Sequence, residues 1–205
     1  EDISQGLTHT SPVVAISGEK DGIAADIVFL MTEDGEENII GFTNNITNPE
    51  GGTHVTGFKS AFAKLINNYA RNELGTLKEK DSNLTGADIR SGMQAIISVK
   101  HPDPQFEGQT KTKLSNTDVT KAVDDIVKEQ LTVYFDRNYD VLKDIVDRAV
   151  ALSKRKALEK SKININKFSF EGNGKLAKQE SSDSSKCEIF IVEGDSAGGS
   201  AKTAR

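Results

Sequence analysis

Glu193 closes the apolar run 187–192, Asp195 follows closely, and a glycine-rich turn continues to residue 200. Three chemistries use an apolar strand that runs into such a turn. A phosphate-cradling P-loop needs a lysine directly after its last glycine, then serine or threonine. Here Ala201 intervenes before Lys202 and Thr203, so the register fails. Gly194-Asp195-Ser196-Ala197-Gly198 does satisfy the Gly-x-Ser-x-Gly pattern that exposes a nucleophilic serine. That fold takes its histidine from later in the chain, and none follows His101. The order with an upstream histidine would admit His9, His54 or His101, but it belongs to an all-β architecture. The third chemistry is metal-assisted work on phosphate. A carboxylate at the carboxyl end of a strand is a hard oxygen ligand for Mg²⁺, which makes Glu193 the candidate with Asp195 beside it. The competing reading leaves both as ordinary turn acids.

A second stretch, residues 104–114, presents Gln109, Lys111 and Lys113 around the hinge Gly108. A lysine held on such a loop could neutralise a terminal phosphate as a point charge. Charge-assisted bonds of this kind contribute on the order of 1.5–3 kcal/mol each. The alternative is a polar loop with solvated lysines. A third feature is a basic stripe: Lys154, Arg155, Lys156, Lys160, Lys162 and Lys167 face a single acid, Glu159. Such a stripe can bind a polyanion even on an acidic protein, because steering follows local potential. It can equally be a solvated helix end whose cations favour the helix C-terminus.

The elements that must carry these residues follow from periodicity. Residues 13–16, 25–31 and 38–43 are β-rich runs separated by turns at 18–22 and 33–37. Asn44-Asn45 and Glu50-Gly51-Gly52 punctuate the chain before a helix. Phe58, Phe62, Leu65, Ile66 and Tyr69 recur there at helical spacing, and Gly75 ends it. Residues 76–92 read as a polar loop and 93–99 as the next strand. Val119, Val123, Ile126, Val127, Leu131 and Tyr134 mark a second helix capped by Asn116 or Thr117. After a break at 136–140, Leu142, Ile145, Val146, Ala149 and Leu152 mark a third, whose basic end protrudes towards Lys162. Residues 171–186 read as a linker, and 187–192 as a strand that needs a sheet, so a domain cut short is expected there.

The chain has 205 residues, 36% hydrophobic and 28% charged, enough for one sizeable domain or one domain plus part of another. A single cysteine, Cys187, excludes a disulfide framework and suits a reducing compartment. No apolar run approaches the roughly 18–20 residues that span a membrane. The acidic start lacks the basic-then-apolar order of a signal peptide, so a cytoplasmic location is expected. The net charge of −5 is uneven: residues 1–50 hold ten acids against Lys20 alone.

Several motifs, in order along the chain, resemble the B subunit of bacterial type IIA topoisomerases, DNA gyrase or topoisomerase IV. They are Glu19-Lys20-Asp21-Gly22, Phe42-Thr43-Asn44-Asn45-Ile46, Glu50-Gly51-Gly52-Thr53-His54 and Ala95-Ile96-Ile97-Ser98-Val99-Lys100. Gln109-Thr110-Lys111 matches the family's Gln-Thr-Lys loop, and residues 193–202 match the opening of its TOPRIM domain. The chain departs at 86–92, where the family usually has Asp-Asp-x-Arg-Glu-Gly, and at 172–178, where its pre-TOPRIM motif is reduced.

The resemblance implies an α+β fold. Residues 1–165 would be the transducer domain of a GHKL-type ATPase, a mixed sheet with packed helices and long C-terminal helices. Residues 166–186 would be a linker and 187–205 the first strand and loop of a TOPRIM α/β domain. It implies that Gln109 and Lys111 contact the γ-phosphate of ATP bound by a preceding domain. Glu193 would bind Mg²⁺ and assist DNA cleavage and religation. Lys154, Arg155, Lys156 and Lys160 would meet DNA phosphates. The implied partners are double-stranded DNA, an A subunit in an A2B2 assembly, and a second B subunit on ATP binding. The expected role is to couple ATP turnover to strand passage, with gyrase favoured over topoisomerase IV. A non-catalytic DNA-binding or subunit-docking module is the alternative. The segment alone is expected to be inactive.

Overall fold

The computed structural model describes residues 3–167, 183, 185, 191–194 and 199–200. The chain divides into two compact units, Glu1–Lys154 and Arg155–Arg205.

The first unit begins with β1 (Val14–Lys20) and β2 (Ile23–Met31), an antiparallel hairpin in which Lys20 pairs with Ile23. Its turn residues Asp21 and Gly22 both have positive φ, 54° and 77°. That is the type I′ geometry that Asp-Gly favours, because its twist matches the strands. The same device recurs between β3 (Asn38–Thr43) and β4 (Ile46–Asn48), with Asn44 and Asn45 at φ 47° and 65°. Asn44-Asn45, read from sequence as punctuation before a helix, is therefore a hairpin turn.

After β4 come α1 (Thr53–Asn72), a single turn α2 (Gly86–Ile89) and β5 (Met93–Lys100). A small hairpin follows, β6 (Phe106–Glu107) and β7 (Lys113–Leu114), then α3 (Thr117–Arg137) and α4 (Tyr139–Lys167). Asn138 alone separates the last two helices. The main sheet has the order β1-β2-β5-β3-β4, with β3 and β5 parallel and the other pairs antiparallel. Helices α1 and α3 pack on each other, and both contact the sheet.

Alternation places Ile23, Ala25, Ile27, Phe29 and Met31 of β2 and Met93, Ala95, Ile97 and Val99 of β5 in the core. Phe29 meets Phe58 and Phe62 of α1 with ring centroids 6.2 and 5.4 Å apart. Truncating any of these rings would cost about 3–5 kcal/mol in transfer and cavity terms. The segment 76–92 is not the purely polar loop its composition predicts. Leu77, Leu84, Ile89 and Asp88 are buried. Asn67 of α1 holds Leu84 at both ends, donating to its carbonyl at 3.1 Å and accepting from its amide at 2.8 Å. The strand expected over 187–192 lies outside the described residues except for Ile191 and Val192, which are irregular.

Candidate functional site

Residues 108–112 form the tip of the β6–β7 hairpin, where Phe106 pairs with Leu114 and Glu107 with Lys113. Lys113 Nζ and Glu107 Oε2, 3.0 Å apart, close its stem. Gly108 has φ 75°, the left-handed region that glycine enters without penalty. Lys111 also has a left-handed φ, 55°, although it carries a side chain. Gln109 and Lys111 are both exposed. The Lys111 ammonium lies 5.9 Å from the centroid of the Phe106 ring, within cation–π range. The two expected phosphate-contacting residues therefore share one loop tip.

That tip is tied to the turn that leads into α1. Asn48 Nδ2 donates to the Lys111 carbonyl at 2.8 Å, and the Glu50 amide donates to the Thr112 carbonyl at 3.1 Å. The Leu114 amide donates to the Gly51 carbonyl at 3.1 Å, beside a parallel bridge between Gly52 and Leu114. Gly52 has φ 142°, and a Cβ there would stand 2.4 Å from the Leu114 carbonyl oxygen. The glycines of 50–52 thus let the hairpin's backbone come against the start of α1.

The hairpin's other end is fixed by side chains. The Gln105 amide donates to Asn116 Oδ1 at 2.6 Å, and Asn116 Nδ2 donates to the Asp103 carbonyl at 3.2 Å. Asn116 is the N-cap residue of α3 but spends its side chain here rather than on the helix amides. The Asp103 amide donates to His101 Nδ1 at 3.0 Å, so Nδ1 is an acceptor. Nε2 then carries the proton and donates to Asp118 Oδ2 at 3.1 Å. That bond holds the Asp118 carboxyl below its ordinary value.

His54, on the first turn of α1, is fully buried. Neither of its ring nitrogens has a hydrogen-bond partner among the described residues, and nor does Thr53 Oγ1. Burial lowers the pKa of His54 to about 4, so the ring is neutral at physiological pH.

The remaining candidates lie elsewhere in the chain. Lys154, Arg155 and Lys156 are exposed on α4. Arg155 Nε is 3.7 Å from Glu159 Oε1, one helical turn on. Lys160 lies on α4 as well, with its side chain outside the described residues. Glu193 is exposed in an irregular stretch, and Asp195 lies outside the described residues. Among the described residues no group of three or more His, Cys, Asp or Glu could hold a metal ion. One exposed carboxylate is not by itself a magnesium site. Arg90, at the departure from the family pattern, is structural: its Nε meets Glu37 Oε2 at 3.1 Å, and Glu37 also pairs with Lys59 of α1. No described helix is long and apolar enough to cross a membrane.

Residues 1–164 match the family model for DNA gyrase B. The chain belongs to the DNA gyrase B family. It is 48% identical over 198 residues to the type 2 topoisomerase B subunit of Aquifex aeolicus, covering 94% of this chain and 25% of that protein. It is 47% identical to the DNA gyrase B subunit of Clostridium acetobutylicum, covering 94% of this chain and 31% of that one. Among solved structures, the 43K ATPase domain of Thermus thermophilus gyrase B, in complex with an aminocoumarin, superposes with a TM-score of 0.71 at 33% identity. That match covers 78% of this chain and 43% of the other. The topoisomerase IV ATP-binding domain of Francisella tularensis gives 0.62 at 33% identity, covering 71% and 40%. The α+β fold of GHKL-type gyrase B ATPase domains, expected from the motifs, is thereby borne out. The chain spans about a quarter to a third of the length of these two curated relatives.

Proposed function

We propose that this chain is the coupling segment of an ATP-dependent type IIA topoisomerase B subunit. Residues 1–165 act as the transducer, 166–186 as a linker, and 187–205 as the start of TOPRIM. Gln109 and Lys111 contact the γ-phosphate of ATP held by a neighbouring domain of the full-length protein. Hydrolysis removes that contact and lets the transducer move, an order-to-disorder sensor of the kind γ-phosphates operate. The observation that supports this reading is the loop tip: two exposed phosphate-seeking side chains on a hairpin bonded to the start of α1.

The wider reading is a family one. The full-length protein assembles as A2B2 with an A subunit, pairs with a second B chain on ATP binding, and acts on double-stranded DNA in the cytoplasm. Glu193 contributes one carboxylate to a Mg²⁺ site whose other ligands lie outside the described residues. Lys154, Arg155, Lys156 and Lys160 meet DNA phosphate. Gyrase is favoured over topoisomerase IV.

The test restores this segment to its full-length B chain with A subunit and plasmid. Lys111→Ala should abolish ATP turnover while DNA binding persists. Glu193→Ala should spare basal turnover and stop cleavage. Negative supercoiling by the wild type would identify gyrase, and decatenation without it topoisomerase IV. Normal ATP turnover in Lys111→Ala would leave a structural or DNA-docking module instead.

A further inference from the structure

We infer that Asn48 is the positioning residue for Lys111, an inference that rests on the γ-phosphate reading of Lys111. Asn48 is a buried polar residue, 1% exposed, at the end of β4. Its amide is oriented from behind: the equally buried Thr43 donates its hydroxyl to Asn48 Oδ1 at 2.6 Å. With Oδ1 occupied, Nδ2 points outward and donates to the Lys111 carbonyl at 2.8 Å.

Two consecutive carbonyls are thereby held, that of Lys111 by Asn48 and that of Thr112 by the Glu50 amide. The first bond orients the peptide between residues 111 and 112, and the second the peptide between 112 and 113. Lys111 needs that restraint, because an L-residue at φ 55° returns readily to the right-handed or extended regions. Releasing the carbonyl would let the backbone at 111 relax and swing the ammonium away from a phosphate it must meet within hydrogen-bond range. Thr43, Asn48 and Lys111 thus form a line from the sheet to the loop. The anchor is 63 residues from the residue it holds.

The experiment uses the full-length B chain with A subunit and DNA. Variants are Asn48→Ala, Asn48→Asp and the milder Thr43→Val, with Lys111→Ala as reference. Amide exchange is read at Glu50 and Leu114, whose hydrogens lie in the bonds that tie the hairpin down, and kcat and KM are measured for ATP. Asn48→Ala should speed exchange at both amides at least fivefold and lower kcat about tenfold, with KM changed less than twofold. Asn48→Asp should fall at least as far, because a carboxylate can still accept from Thr43 but cannot donate to the Lys111 carbonyl. Thr43→Val should shift exchange the same way, by less, with only a small loss of melting temperature. Unchanged exchange in Asn48→Ala, or wild-type kcat in Asn48→Asp, would overturn the assignment. Normal turnover in Lys111→Ala would instead remove the phosphate reading, and the exchange data would still decide whether Asn48 holds the loop.

Discussion

His54 Nε2 lies 2.2 Å from the place a Cβ on Gly41 would occupy. The imidazole fills the space of the missing side chain, so α1 seats against β3 only because position 41 is glycine. Gly41 pairs with Asn48 across the β3–β4 ladder, which puts this contact beside the residue that reaches Lys111.

Gly41→Ala should therefore be destabilising although its backbone is ordinary strand. Either the ring moves or α1 lifts, and overpacking of this kind costs about 1–3 kcal/mol. Urea unfolding would read it as a lower midpoint at unchanged slope. Gly41→Ala combined with His54→Ala should recover part of the loss, because the methyl then enters vacated space. If the double variant is as unstable as the sum of the singles, the two residues do not compete for one volume.

Two positive-φ glycines differ both in backbone region and in the space around them. Gly108 at φ 75° has nothing within 4 Å of the point its Cβ would take, whereas Gly52 at φ 142° would drive one into Leu114. Gly108→Ala should cost about 1 kcal/mol, the left-handed penalty alone. Gly52→Ala should exceed it by at least about 1 kcal/mol, through the clash with Leu114 and a backbone region that only glycine enters readily. Thermal unfolding of the pair is the measurement, and equal losses would contradict the packing at the β7–α1 junction.

His54 also sets an acid limit on the fold. Its pKa is lowered to about 4 in the folded chain against 6.5 ordinarily, so the unfolded state binds its proton first. Stability then falls as pH drops from about 6.5 towards 4, by about 3 kcal/mol if burial alone acts. His54→Leu should flatten that part of the profile. Asp118 works in the same direction at lower pH: its carboxyl is held below 3.8 by His101, so its contribution is present above that value and lost as pH falls further. A His54→Leu variant whose stability still declines between pH 6.5 and 4.5 as in the wild type would rule out this histidine as the cause.

The legible and illegible parts of this fold divide by length of pattern. β2 and β5 are β-rich apolar runs of eight or nine residues, and α1 and α3 repeat an apolar face over about five turns, so pattern alone finds them. β4, β6 and β7 have two or three residues each, too few for any period. What makes them is distant: Asn48 meeting Lys111, Gln105 meeting Asn116, Gly52 lying on Leu114. The loop tip was readable because Gln109-Thr110-Lys111 is a short contiguous motif. Its mount was not, because no local signal pairs Asn48 with a residue far along the chain. The buried His54 was likewise hidden, since a histidine after Gly-Gly-Thr reads as polar until the glycine opposite it is located on β3.

The basic stripe makes a prediction that depends only on charge. If Lys154, Arg155 and Lys156 each neutralise a DNA phosphate, each releases a condensed counterion on binding. Replacing all three by Gln should then lower the slope of log affinity against log salt by about 2–3, near 0.9 per contact on duplex DNA. Glu159 lies 3.7 Å from Arg155 and competes with phosphate for its guanidinium. Glu159→Gln should therefore raise affinity at low salt by freeing the guanidinium. The measurement is a salt titration of the full-length protein on a duplex of fixed sequence. A slope unchanged in the triple variant would assign these cations to a solvated helix surface, and the acid beside them would then be an ordinary i to i+4 pair worth only a few tenths of a kcal/mol.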